Sequence, residues 1–372
     1  MRTSTQLALA TLIAVAVAIS GCTEHPAPTA PPAGSAAKAA RANDADDAVR
    51  STAPLVMHKV DAGTTDPAIT FRPRFNSEKD DPRHYVWLDT AARSNHRLFL
   101  FMPAARGVPS TYQRIGEEAA RLGYHVIGLM YQDSVRLADV CGAINDDDSS
   151  AACFLDARLA IIHGGVTPAA RLKVLVPDGI DNRLTKLLVH LASRYPEEGW
   201  SRFLVGQAPK WSHIAVGGHS QGGGQAAVIA KIRLVDRVVL FSAVPDSIGS
   251  NAPAWLATHV TPSNRYFGLA HDKDLFLPAI TDGWNRLGMS VYGPAVSPES
   301  SPWPYFEGSH MLVTHVEPAI GGYAHMFSHH STVNDAYVRL LNGVPVLRDA
   351  WDYLLVAPIR RQVFADEEED GK

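Results

Sequence analysis

Long apolar runs are scarce: the 372-residue sequence holds one near its start and none elsewhere, which excludes a protein that crosses the membrane several times. Cysteine is scarcer still. Three residues are too few for a cysteine-rich zinc site or a small disulfide-dense scaffold. An excess of one charge sign is also missing. The formal net charge is −4, with 34 Lys and Arg interspersed among 38 Asp and Glu, so no basic stripe marks a nucleic-acid-binding face. No internal repeat recurs. What is left is a body of about 300 residues with ordinary apolar content, enough to bury the core of one large α/β domain.

The single apolar run, residues 7–19 (LALATLIAVAVAI), follows Arg2. It is shorter than the roughly 20 residues of a membrane span and has the length of a signal-peptide core. It ends in Ile19-Ser20-Gly21-Cys22, which resembles the bacterial lipobox. That resemblance implies a signal peptide over residues 1–21 and a lipidated Cys22 at the start of the mature chain. Residues 22–54 are rich in Pro, Ala, Thr and Gly and cannot bury a core, so they read as a disordered tether. The globular body, residues 55–360, is then held at a membrane surface. Thr23 replaces the aspartate that retains many lipoproteins at an inner membrane, which favours the outer one. Residues 361–372 form a solvated acidic tail. With Cys22 assigned to the anchor, Cys141 and Cys153 flank a polar segment, and in an oxidising compartment they pair as a disulfide.

Within the body, β-rich apolar runs alternate with amphipathic stretches. Strands are expected at residues 97–102, 125–131, 213–217, 237–242, 265–270 and 311–315, and helices at 111–122, 182–193 and 221–232. This alternation predicts an α/β fold with a doubly wound, mostly parallel sheet.

One turn in that series carries chemistry. Gly218-His219-Ser220-Gln221-Gly222 stands between an expected strand and an expected helix, the setting in which G-x-S-x-G has mechanical meaning. A turn that sharp strains the serine, and the residues two before and two after it must lack side chains. The helix that follows directs N–H groups and its positive dipole end at the site, which suits an oxyanion. On these residues the chain resembles the α/β-hydrolase superfamily of serine esterases and lipases, over roughly residues 55–358. It is most similar to exported bacterial hydrolases of poorly defined substrate that carry a cysteine pair, an Asn-Arg-Leu helix, a Gly-Trp segment (Gly199-Trp200) and G-H-S-Q-G.

The resemblance implies a Ser, acid, His order along the chain, so the partners of Ser220 lie beyond it. Asp274, four residues before Pro278, fits the acid position; Asp272 is the alternate, and Asp246 is a weaker one with a turn or capping role as its plain reading. For the base, residues 323–335 (YAHMFSHHSTVND) offer His330, placed before an apparent cap and a helix-like VNDAYVRLL, then His329, then His325. His325 and His329 are spaced i, i+4 but lack an HExxH frame or cysteines, so they are not read as a metal pair. His310, His315 and His219 read as structural or pocket-lining. Gln221 N–H is one oxyanion donor, and the second is Ala105 or Ala104 in the loop after the first parallel strand, where relatives usually have glycine. Between acid and base a small insertion, with Trp303-Pro304-Tyr305-Phe306, reads equally as pocket wall or as core packing.

These expectations describe an ester-cleaving serine hydrolase without a cofactor or metal, acting on a small or polymeric ester. Two alternatives share the same residues: an amidase or polyester hydrolase with the same triad, and an inactive hydrolase fold kept as a binding lipoprotein.

Overall fold

Side chains along the central strands alternate between two apolar layers, and this alternation gives the molecule its architecture. In the computed structural model, which describes residues 53–71, 81–142, 147–248, 251–301, 308–322 and 327–359, eight strands form one sheet. In chain order they are β1 (Val56–Val60), β2 (His84–Leu88), β3 (Leu98–Met102), β4 (His125–Gly128), β5 (Ile214–His219), β6 (Arg237–Phe241), β7 (Tyr266–His271) and β8 (Met311–Thr314). All described residues belong to one compact unit, Asp47–Lys372. The signal segment, Cys22, almost all of the tether and the acidic tail lie outside the described residues.

The order across the sheet is β1-β2-β4-β3-β5-β6-β7-β8. From β4 to β8 every neighbouring pair is parallel, while β2 pairs antiparallel with both β1 and β4. Leu98, Leu100, Met102, Val238 and Leu240 enter one core, and Phe99, Phe101, Val239 and Phe241 enter the other. The first is covered by α2 (Asp147–His163), α3 (Ile180–Arg194), α4 (Gln221–Ile232) and α5 (Leu277–Arg286). The second is covered by α1 (Gln113–Arg121) and α6 (Arg348–Val356). Helices on both faces of a mostly parallel sheet are the doubly wound arrangement. β3 lies between β4 and β5, so its C-terminal end adjoins that of β5, with Met102 opposite Gly218. Such a switch in strand order opens a crevice beyond the carboxyl ends of the strands.

Of the elements labelled above, two strands and three helices fall outside those expected from the sequence. All five residues of β2 are buried, so the strand shows no polar alternation, and β1 is a short edge. α2 begins inside the polar stretch between the cysteines, so the Cys141–Cys153 disulfide joins the short helical turn Leu137–Val140 to a helix rather than closing an irregular loop. α5, with Pro278 in its first turn, and α6 complete the set.

One expected helix is absent. Residues 333–341 run through turns into a two-stranded hairpin, Leu340–Leu341 with Val344–Pro345. The polar side chains there bond elsewhere: Asp335 accepts from the N–H groups of Gln113 and Arg114 at 2.8 and 3.2 Å, capping α1, and Asn334 accepts from Ala336 N–H at 3.1 Å. Local bonds of this kind compete with helix formation. Trp303, Pro304, Tyr305, Phe306 and His325 lie outside the described residues.

Candidate active site

Ser220 and Asp274 follow directly on the carboxyl ends of parallel strands, and His330 lies in the loop beyond β8. Ser220 lies between β5 and α4 with φ 52° and ψ −117°, a conformation that non-glycine residues avoid because of Cβ sterics. Its N–H donates to Phe241 C=O at 2.9 Å, and its C=O accepts from Gly224 N–H at 3.0 Å. The flanking glycines are required by contact. A Cβ on Gly218 would lie 2.5 Å from the Gly222 carbonyl carbon, and one on Gly222 would lie 2.1 Å from the Met102 oxygen. The elbow is thus pressed against the end of β3, where the next loop begins.

The Asp274 loop follows β7. Asp274 is buried, and its Oδ1 accepts from Phe276 N–H at 2.9 Å, which fixes the carboxylate. His330, in the loop beyond β8, directs Nδ1 at this carboxylate, 2.8 and 3.0 Å from its two oxygens. The His330 Nε2 is buried without a hydrogen-bond partner. Ser220 and His330 line the same cleft, of about 380 Å³, with Ala104, Ala105, Phe276 and Phe327 among its walls.

His219 connects the parts. Its Nδ1 accepts from the Tyr112 hydroxyl at 2.9 Å, and its Nε2–H donates to His330 C=O at 2.6 Å. The Tyr112 oxygen in turn accepts from Ala104 N–H at 3.3 Å. Burial, then the neighbouring His330, pushes the His219 pKa down to about 3, and burial lifts Tyr112 to about 12. Both groups are neutral, as this directional chain of donors requires.

In the loop after β3 the N–H groups of Ala104, Arg106 and Gly107 are directed at Tyr112, Asp133 C=O and Ala104 C=O. Tyr131 holds the Pro103 carbonyl at 2.8 Å. Among the described residues, Ala105 N–H has no internal acceptor, nor does Gln221 N–H in the first turn of α4, where no intrahelical acceptor exists.

The two alternates are placed elsewhere. Asp272 is partly exposed and bonds His315 Nδ1 at 2.9 Å, while His329 Nε2 faces Glu317 at 3.0 Å; neither lines the cleft. His310 stacks between Phe267 and Tyr292. Asp246, the weakest acid candidate, forms a buried ion pair with Arg158, whose Nη1 also donates to Gln221 C=O at 2.9 Å. Gln221 Oε1 accepts from Leu137 N–H at 3.1 Å. Sequence reasoning did not find Arg158 or Tyr112. A lone arginine inside the apolar run FLDARLAII was a usable signal for the first, since an unpaired charge there would be costly; nothing local marked Tyr112.

No protein-family model and no curated protein matches the chain.

Proposed function

We propose that the chain is a serine hydrolase of the α/β-hydrolase type that cleaves carboxylic esters through an acyl-enzyme. The observation that carries this reading is a buried Asp274–His330 pair, its Nε2 unpaired, with His330 lining the same cleft as the strained Ser220. The chain order Ser, Asp, His and the position of the serine on a strand-to-helix turn support the same assignment.

Ser220 Oγ attacks the ester carbonyl carbon while His330 Nε2 takes the hydroxyl proton, and Asp274 stabilises the imidazolium through Nδ1–H. The carbonyl π pair moves onto oxygen, where the N–H groups of Ala105 and Gln221 receive it. The C–O bond to the alcohol then breaks, and His330 returns its proton to the leaving oxygen. A water molecule repeats the sequence on the acyl-Ser220 and releases the acid. The cleft volume suits a small acyl group or one unit of a longer chain.

The N-terminal lipobox adds a place to this activity: Cys22, outside the described residues, anchors the hydrolase to a bacterial membrane, the outer one being favoured by Thr23. No helix among the described residues is long and apolar enough to cross a membrane.

A fluorophosphonate probe tests the chemistry. Labelling of the native chain that disappears in Ser220→Ala, together with loss of p-nitrophenyl ester turnover, is the expected result. Equal labelling of both proteins, or none of either, would refute the assignment.

A further inference from the structure

The loops that carry Asp274 and His330 share a second polar cluster, outside the cleft. His271 closes β7 three residues before Asp274, His329 immediately precedes His330, and Glu317 lies three residues beyond β8. One ligand atom from each lies within 4.8 Å of the others. The three residues also line a void of about 20 Å³, on the scale of a single water or ion.

We propose that His271, Glu317 and His329 form a site for one divalent zinc-type cation, which clamps the Asp274 loop to the His330 loop. Two imidazoles and one carboxylate are a donor set that zinc accepts, and borderline nitrogen donors disfavour magnesium and calcium. His271 supplies an independent pointer. It is 2% exposed, and its buried Nε2 makes no hydrogen bond of normal geometry, with the Val316 backbone as a weak polar neighbour, an arrangement that a ligand would complete.

The surroundings complete the case. His271 Nδ1 lies 2.7 Å from Asp272 Oδ1 and 3.0 Å from Lys273 N–H. Ligation through Nε2 moves the ring proton to Nδ1, which gives up its acceptance from Lys273 N–H and turns to the Asp272 carboxylate beside it, an outer carboxylate of the kind that orients many metal-bound histidines. Asp272 Oδ2 meanwhile holds His315. His329 Nε2 faces Glu317 Oε2 at 3.0 Å; on ligation its proton moves to Nδ1. Two cations lie near. The Lys273 ammonium pairs with Glu317 Oε1 from a side chain 57% exposed, so it can swing into water as the metal takes that oxygen. Arg339 is engaged with the Glu317 and Pro318 carbonyls.

The site is tested on the untagged chain freed of metal with EDTA. Calorimetric titration with Zn²⁺ is expected to give one site per chain, and Co²⁺ to give the visible absorption of a low-symmetry nitrogen–oxygen site. Glu317→Gln and His329→Ala, both at partly exposed positions, should each lower the affinity at least tenfold while near-ultraviolet circular dichroism stays native. Asp272→Asn should lower it about 10–100-fold. Amide exchange at residues 272–276 and 328–331 should slow on adding Zn²⁺ to the native chain but not to Glu317→Gln. No uptake by the native chain, or native affinity in both ligand variants, would overturn the site; uptake without slowed exchange would overturn the clamp. Neither result depends on turnover, so failure here leaves the serine chemistry standing.

Discussion

Asp274 and Asp272 are two residues apart, and their surroundings separate them completely. Asp274 is buried against His330, whereas Asp272 faces His315 in a partly exposed setting. Asn at 274 would present an amide to Nδ1 and favour the wrong imidazole tautomer. Asp274→Asn should therefore lower kcat about 10³–10⁴-fold, as such a change does in other serine hydrolases. Asp272→Asn should leave kcat on p-nitrophenyl acetate within a few-fold at saturating zinc. Comparable losses in both would reverse the assignment. His219 sets a pH dependence of stability. Its folded pKa, about 3, is depressed below the unfolded value of about 6.5, so only the unfolded chain takes up a proton between them. Stability is full above the unfolded value and falls as the pH drops toward the folded one. At pH 4.5 the loss from this group is about 2–3 kcal/mol. Urea unfolding at pH 7 and 4.5 should show it, and His219→Gln, which does not titrate, should shrink the difference by that amount.

Among the elements, the disulfide has the most direct energetic consequence. It closes a separation of 12 residues between the turn Leu137–Val140 and α2, a loop whose cross-link contributes about 3 kcal/mol by the chain-entropy relation. The Cys141→Ser, Cys153→Ser double variant should lose stability of that order in thermal melts, and its KM should rise more than its kcat falls. The reason is that Leu137 lines the cleft and donates its N–H to Gln221. An unchanged melting temperature would contradict this account. The elements also differ in how legible they were. β3 and β5–β8 were read within two residues because their apolar runs sit between clear breakers, and α4 was read to its ends because the elbow fixes its start. β2 was hidden because its neighbours on both faces bury even His84, which accepts from Met130 N–H. The stretch after His330 has helical spacing of apolar residues, yet Asp335 is drawn 222 residues away along the chain to cap α1. A long-range hydrogen bond leaves no local trace in a sequence. The choice of Asp274 and His330 rests on the order and spacing that the hydrolase resemblance implies, and the network through Tyr112 has no such handle.

At the scale of the molecule, two cores on one sheet hold the loops of the proposed triad and oxyanion donors beyond the carboxyl ends of the parallel strands, and the proposed anchor decides where that site works. If Cys22 carries the lipid, radiolabelled palmitate should enter the native chain and be absent from Cys22→Ser. The variant should then leave the membrane fraction while keeping its turnover on soluble esters; label retained in Cys22→Ser would rule out the anchor. The internal wiring of the fold has a consequence of a different kind. Ala104 N–H, Tyr112, His219 and His330 C=O pass hydrogen bonds in one direction, so Tyr112 and His219 have no independent vocabulary of replacements. Changing either alone strands a buried donor or acceptor on the other, and replacing both by an apolar pair moves the mismatch outward, to Ala104 N–H and His330 C=O. The two positions, 107 apart in sequence, are therefore bound as one unit to the two backbone groups they serve, and a substitution at either is felt at both ends of the network.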